Sequence, residues 1–133
     1  MKLYFGGAYN GKLELVKNKY KIKDSEVFNC DSNKIDFDKK VINNFHEFVF
    51  NIIKDSKDPK EYILKNLDKF KGKIIISDDL NSGIVPIEIL ERRLREDLGE
   101  ILKIFSKESK EVYRVFFGIE SKLKGDLKWY FIL

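Results

Sequence analysis

The sequence predicts an α/β fold in which a mostly parallel sheet is flanked by helices. Short apolar runs typical of strands alternate along the 133 residues with segments whose apolar residues recur every three or four positions. Residues 73–77 (K-I-I-I-S) contain an unbroken run of three isoleucines, which is typical of a strand buried on both faces. The length and even composition indicate one domain, residues 1–133.

The first half of the chain supplies four of the predicted elements. Residues 3–5 predict an opening strand, and apolar residues from Leu13 to Tyr20 have helical spacing. Residues 26–30 predict a second strand that ends in the turn-forming residues 31–33. The apolar positions between 38 and 54 predict one long helix, capped by Asp36 or Asp38.

The second half continues the alternation. Asp58 and Pro59 predict the start of a helix that runs to Gly72, and residues 73–77 form the buried strand. An oxygen-rich loop follows at 78–83, and Pro86 introduces a helix with an apolar stripe that reaches Phe105. Residues 112–117 predict a fourth strand and residues 127–132 a fifth, at an edge.

A phosphate-binding loop of the form G-x-x-x-x-G-K is predicted between the first strand and the first helix. Its residues are Gly6, Gly7, Ala8, Tyr9, Asn10, Gly11 and Lys12, followed by Leu13. Glycines let the backbone amides face a phosphate chain, and Lys12 would meet the outer phosphates. Leu13 replaces the Ser or Thr that normally holds Mg²⁺. This context favours a P-loop NTPase-like, kinase-like domain that binds ATP or GTP, with Mg²⁺ held weakly; the alternative is a glycine-rich turn that binds nothing.

Composition narrows the classes of function. The 26 basic and 22 acidic residues are interspersed, so the net charge of +4 predicts a solvated surface and no nucleic-acid partner. The single Cys30 cannot form an internal disulfide and is expected to be buried. One cysteine and one histidine cannot form a Cys/His zinc site. Carboxylates and phosphates remain as metal ligands, and Mg²⁺ is the metal expected with them. The absence of a secretory region or an 18-residue apolar span predicts a cytoplasmic protein with no membrane span.

Four segments together resemble the adenosylcobinamide kinase/adenosylcobinamide-phosphate guanylyltransferase family of cobalamin biosynthesis. Residues 5–12 are similar to its T-G-G-A-R-S-G-K-S, and residues 77–86 (S-D-D-L-N-S-G-I-V-P) to its T-N-E-V-G-x-G-I-V-P. Residues 94–99 and 111–119 resemble its F-R-D-x-x-G and E-V-x-x-V-x-x-G-I. The resemblance implies a nucleotide-dependent transferase, a cobinamide as acceptor, and homo-oligomers, trimers included.

The sequence departs from that family where metal and nucleophile are expected. The segment that carries the family's GMP-accepting histidine is missing, and the lone His46 falls inside the predicted 38–54 helix, where a structural role is the more common one. Asn29 stands where the family has an acid, so Asp31 is the candidate metal ligand. Asp79 keeps the carboxylate of the family's T-N-E motif.

These features leave three functions open. The first is phosphoryl transfer with Lys12 and Asp79 as catalytic residues, while guanylyl transfer lacks a convincing nucleophile. The second is a non-catalytic nucleotide-binding or assembly subunit derived from the family, in which the aromatic residues 129–132 would pack between subunits or complete an edge strand. The third is a small-molecule kinase with a different acceptor.

Overall fold

The described strands form a single six-stranded sheet. A computed structural model describes residues 1–79 and 88–125, and in that part the strands are β1 (Lys2–Gly6), β2 (Val27–Asn29), β3 (Val41–Asn43), β4 (Ile74–Asp78), β5 (Glu111–Phe116) and β6 (Ile119–Lys124). Their spatial order is β2-β3-β4-β1-β5-β6. The pairs from β2 to β5 are parallel, and β6 is antiparallel to β5. The predicted α/β fold with a mostly parallel sheet is therefore confirmed.

In the described residues, four α-helices connect the strands: α1 (Lys12–Tyr20), α2 (Phe45–Lys54), α3 (Pro59–Lys65) and α4 (Ile89–Glu108). Short 3₁₀ turns occupy Asp24–Glu26 and Leu67–Phe70. α3 starts at Pro59, as the sequence predicts, and Asp58 caps it, since Asp58 Oδ1 accepts a hydrogen bond from the backbone N of Lys60 at 3.0 Å. None of the helices in these two ranges has the length and hydrophobicity needed to cross a membrane.

The sheet has an apolar core on each face. On one side, Leu3, Ile42 and Ile75 pack with phenylalanines from α2 and α4. On the other side, Tyr4 belongs to the cluster that α1 covers through Val16. Consecutive residues Leu3 and Tyr4 point to opposite faces and both are fully buried, which is the pattern of a strand in the middle of a parallel sheet. The prediction that 73–77 is buried on both faces is confirmed for β4.

The predicted helix over 38–54 is wrong in its first part. Residues 41–43 form β3, and α2 begins only at Phe45, after Asn44 in the left-handed conformation (φ 56°). Val41 and Phe45 are four residues apart, so the spacing also fits a helix. Tertiary pairing decides against it, because Val41 pairs with Val27 on one side and Ile74 on the other, which suits β-branched side chains.

Other boundaries differ as well. The helix predicted to reach Gly72 ends at Lys65, and a 3₁₀ turn covers the remainder. Strand β6 is not predicted at all: Phe117 and Gly118, with φ of 51° and 73°, make a tight turn that sends the chain back along β5. Pro86 and the predicted strand 127–132 lie outside the described residues.

Candidate phosphate-binding site

Two glycines shape the loop between β1 and α1. A Cβ on Gly6 would stand 2.3 Å from the carbonyl oxygen of Val115, so the close approach of β1 to β5 leaves no room for a side chain. Gly11 precedes the first residue of α1 with φ 76°. Of residues 6–13, predicted as one loop, residues 7–11 form the turn from the sheet into this helix, whereas Gly6 ends β1 and Lys12 and Leu13 begin α1.

The loop is held against the turn between β5 and β6. The backbone N of Gly118 donates to the carbonyl oxygen of Asn10 at 2.8 Å, and the Asn10 Nδ2 amide lies 3.5 Å from the carbonyl oxygen of Val115. Tyr9, at the tip of the loop, is fully exposed and has a left-handed backbone (φ 60°). The loop thus has a defined shape that depends on a distant part of the chain.

Lys12 is the buried charge of the site. Only 7% of the residue is exposed, and its Nζ donates to the carbonyl oxygen of Gly7 at 2.7 Å and to Asp78 Oδ1 at 2.8 Å. Asp78 is opposite Gly6 in the register of β4 and β1, which places its carboxylate beside the loop. The ammonium is therefore held by the loop backbone and by one carboxylate.

His46 lies on the other side of Asp78. The backbone N of Asp78 donates to His46 Nδ1 at 3.1 Å, and His46 Nε2 lies 3.5 Å from Asp78 Oδ2 and 3.7 Å from Glu47 Oε1. Burial lowers the pKa of His46, although the nearby carboxylates of Asp78 and Glu47 oppose that shift. Since Nδ1 is an acceptor, the neutral ring carries its proton on Nε2.

These side chains surround an open cavity of about 530 Å³ at the carboxyl ends of the strands. Its lining consists of loop and α1 residues 8–14 together with Asn43, Asn44, His46, Glu47, Ile76 and Asp78. The carboxylates of Glu14, Glu47 and Asp78 outnumber the one ammonium, that of Lys12. A phosphate chain in this cavity would therefore meet both a cationic loop and an acidic wall.

Lys12 and Leu13 line the cavity, whereas the predicted site residues Asp79 and Asp31 are not part of its lining. Asp79 is next to the loop, and its backbone N donates to the carbonyl oxygen of Gly6 at 2.8 Å. Leu13 is half-buried in the cavity wall. Asp31 is exposed and follows β2, which β3 and β4 separate from β1, a distance of roughly 14 Å at the usual strand spacing.

Polar residues near the carboxyl ends of the strands differ in their distance from the loop. Ser77 and Asp78 adjoin the loop through β4, whereas Asn29 lies at the sheet edge, where its Oδ1 accepts from Asn43 Nδ2 at 2.8 Å. Residues 80–83 lie outside the described ranges. Within residues 1–79 and 88–125, no group of three or more His, Cys, Asp or Glu side chains is arranged to hold a metal ion.

Sequence reasoning missed the contribution of β3 and the first turn of α2. The helix predicted over 38–54 places His46 in its interior, but His46 is the second residue of α2 and faces the carboxyl end of β4. The sequence does contain a signal: two β-branched residues, Val41 and Ile42, are followed by Asn43 and Asn44, which is how a short buried strand often ends.

No protein-family model and no curated protein sequence matches this chain.

Proposed function

We propose that the cavity binds the phosphates of a nucleoside triphosphate, ATP or GTP. The observation that carries this proposal is the position of the Lys12 ammonium, which lies under the glycine loop at the first residue of α1, within 2.7 Å of the Gly7 carbonyl oxygen. Backbone amides at a helix start and a lysine below them are a combination suited to phosphate oxygens. On binding, the ammonium would exchange the Gly7 carbonyl for phosphate.

The acidic wall supports binding of the nucleotide as its Mg²⁺ complex. Glu14, Glu47 and Asp78 repel a free triphosphate, and a divalent cation removes most of that repulsion. Mg²⁺ in such sites keeps several waters and takes one or two carboxylates besides the phosphates. Asp78 is the better candidate for that carboxylate than Asp31, because it already lies 2.8 Å from Lys12.

We propose phosphoryl transfer as the reaction. Lys12 would stabilise the charge on the transferring group, and Asp79, next to Gly6, would position the acceptor. The resemblance to the adenosylcobinamide kinase/guanylyltransferase family suggests a cobinamide as that acceptor. A free, buried Cys30 thiol fits a reducing, cytoplasmic location.

Guanylyl transfer is less well supported. A histidine that accepts GMP needs a ring nitrogen that is free to attack. In His46 the Nδ1 lone pair accepts the backbone N–H of Asp78, and Nε2 lies 3.5 Å from Asp78 Oδ2. The arrangement supports a positioning role for this histidine rather than a nucleophilic one.

The second candidate is a non-catalytic nucleotide-binding subunit. Leu13 favours it, because an aliphatic side chain stands where the metal-binding hydroxyl would be. In that case nucleotide would bind and no product would form.

Calorimetric titration of ATP and GTP, each with and without Mg²⁺, tests the binding proposal. Lys12→Ala should abolish binding, whereas Lys103→Ala, which removes the same charge from an exposed position on α4, should not alter it. Failure of the wild-type chain to bind either nucleotide would reject the proposal.

Turnover separates the two candidates. The chain is incubated with adenosylcobinamide and either nucleotide, and phosphorylated product is measured by mass spectrometry. Product that disappears in Lys12→Ala supports a kinase that acts on a cobinamide, and binding without product supports the non-catalytic subunit or a kinase with a different acceptor. GMP attached to His46 would contradict the positioning role given to that residue.

A further inference from the structure

Four neighbouring parallel strands begin with a lysine, at the edge of the sheet opposite the phosphate-binding loop. Lys2 is the first residue of β1, and β3, β4 and β5 are directly preceded by Lys40, Lys73 and Lys110. The spatial order of these strands is β3-β4-β1-β5, so the lysines follow one another along the edge. At the usual strand spacing the row is roughly 14 Å long.

The backbone of the sheet fixes this row. The carbonyl oxygen of Lys40 accepts from the first residue of β4 at 3.1 Å, and that of Lys73 accepts from Lys2 N at 2.9 Å. The backbone N of Lys110 donates to the carbonyl oxygen of the residue before Lys2 at 3.0 Å. Neighbouring lysines are therefore held one strand apart by the same hydrogen bonds that join the strands.

The row borders a second cavity of about 580 Å³, which we call the lysine cavity. Besides the four lysines, its lining consists of Met1, Tyr20, Lys71, Gly72, Ile74 and Glu108. Among the described residues, this lining thus has five side-chain ammonium groups and one carboxylate. The balance is the reverse of that around the phosphate-binding loop, where one ammonium meets three carboxylates.

Most of these ammonium groups are unpaired within the described part of the chain. Lys2 Nζ lies 3.6 Å from Glu111 Oε2 and 4.3 Å from the centre of the Tyr20 ring. The side chains of the other four lysines in the lining form no ion pair and no hydrogen bond with residues 1–79 or 88–125. Cations held close together repel one another, and an anion that binds between them is attracted by all of them.

The size of the cavity favours a small polyphosphate over a nucleic acid. Its volume is that of a typical small-molecule site. Lysine ammonium groups bind phosphate as point charges, and several of them one strand apart can contact successive phosphates of one chain. A nucleic acid needs a basic stripe that continues along its backbone, and basic and acidic residues are interspersed along this sequence.

We infer that the lysine cavity is a second anion site, which takes a compact polyphosphate without a metal ion. The ligand is either free inorganic polyphosphate or the phosphate chain of a nucleotide. The lysines supply the positive charge that Mg²⁺ supplies beside an acidic wall. This inference is independent of the proposed nucleotide site, because Lys12 and its loop lie at the opposite edge of the sheet.

Residue-resolved titration tests the inference. Inorganic triphosphate without metal is added to the ¹⁵N-labelled chain of residues 1–133, and amide signals are followed by NMR. Signals of residues 71–74 and of Lys40 should shift and saturate at about 0.1 M salt. Replacing Lys73 and Lys110 together by Gln should weaken this binding at least about tenfold, and so should replacing Lys40 and Lys71 together. Circular dichroism confirms that both double variants are folded.

Matched controls separate this site from general surface charge and from the loop. Lys65→Gln combined with Lys103→Gln removes two lysines that already have carboxylates nearby, Glu61 and Glu100, and should leave the affinity unchanged. Lys12→Ala should also leave the shifts at the lysine cavity unchanged. ATP that binds there as tightly as triphosphate identifies the phosphate chain as the ligand, and ATP that binds more tightly identifies a nucleotide.

Three results would overturn the inference. The first is the absence of saturable shifts around the lysine cavity, including the case in which only signals of the phosphate-binding loop shift. The second is unchanged affinity in both double variants. The third is a single-stranded RNA that shifts the same signals at lower concentration than triphosphate does, since that would identify a nucleic-acid surface instead.

Discussion

Replacing Asp78 by Asn should change stability and phosphate binding in opposite directions. The substitution removes the charge that lies 2.8 Å from the Lys12 ammonium and keeps the shape of the side chain. Breaking a fully buried ion pair costs about 3–5 kcal/mol. The carboxylate here is 19% exposed, and the Gly7 carbonyl still accepts from Lys12, so about 2 kcal/mol is expected. For a chain of this length that loss lowers the melting temperature by roughly 6–10 °C.

The binding effect follows from the same charge. Without Asp78, the Lys12 ammonium loses the carboxylate that competes with phosphate, so inorganic triphosphate without metal should bind more tightly. The increase in triphosphate affinity on addition of Mg²⁺ should be smaller than in the wild type, because Asp78, the proposed metal ligand, is absent. Urea unfolding and calorimetry with triphosphate, with and without Mg²⁺, measure the two effects.

Asp38→Asn, on the exposed surface, is the matched control and should change neither quantity. Unaltered stability of Asp78→Asn would refute the energetic role of the ion pair. Weaker metal-free binding by that variant would refute the competition between Asp78 and phosphate.

Further substitutions test other contacts. Gly6→Ala places a Cβ 2.3 Å from the Val115 carbonyl oxygen and should destabilise the fold by more than about 2 kcal/mol in urea unfolding, whereas Gly99→Ala, in the open interior of α4, should add about 0.5–1 kcal/mol. Burial holds the pKa of His46 in the folded chain below the ordinary value of 6.5. As the pH falls through 6.5, the unfolded chain binds a proton that the folded chain does not bind, so the free energy of unfolding decreases. Between about pH 7.5 and about pH 5.5 the melting temperature of His46→Gln should therefore fall less than that of the wild type; equal falls would show that His46 is not the group responsible. Burial raises the pKa of Cys30 to about 12, so its alkylation at about pH 8 should be at least about a hundredfold slower in the folded chain than in urea, and comparable rates would contradict its burial.

The sequence predicts the architecture where periodicity and strand length agree. The run 73–77 is too short for a helix and too apolar for an edge strand, and it forms the central strand β4. The glycine loop is predictable for a similar reason, because strand, loop and helix follow each other without a gap from Lys2 to Tyr20.

What the sequence could not predict depends on contacts between distant residues. Three residues suffice for β3 because β2 and β4 support it on both sides, and no local pattern of Val41, Ile42 and Asn43 shows that support. The sequence predicts a helix where β3 lies, so it does not bring His46 close to Asp78. His46 reaches Asp78 because α2 starts directly after β3. The sequence places Asp78 in an oxygen-rich loop after the buried strand. Its ion pair with Lys12 follows from the register of β4 against β1, which the sequence does not show.

The hydrogen bond from Gly118 to Asn10 has a consequence for folding. The loop that would hold phosphate takes its shape from a turn near the other end of the chain, so the loop cannot be complete until β5 and β6 have joined the sheet. Contacts of such long sequence separation form late and slowly. A ligand that recognises the finished loop would bind only the folded chain, and its binding energy would add directly to the free energy of unfolding.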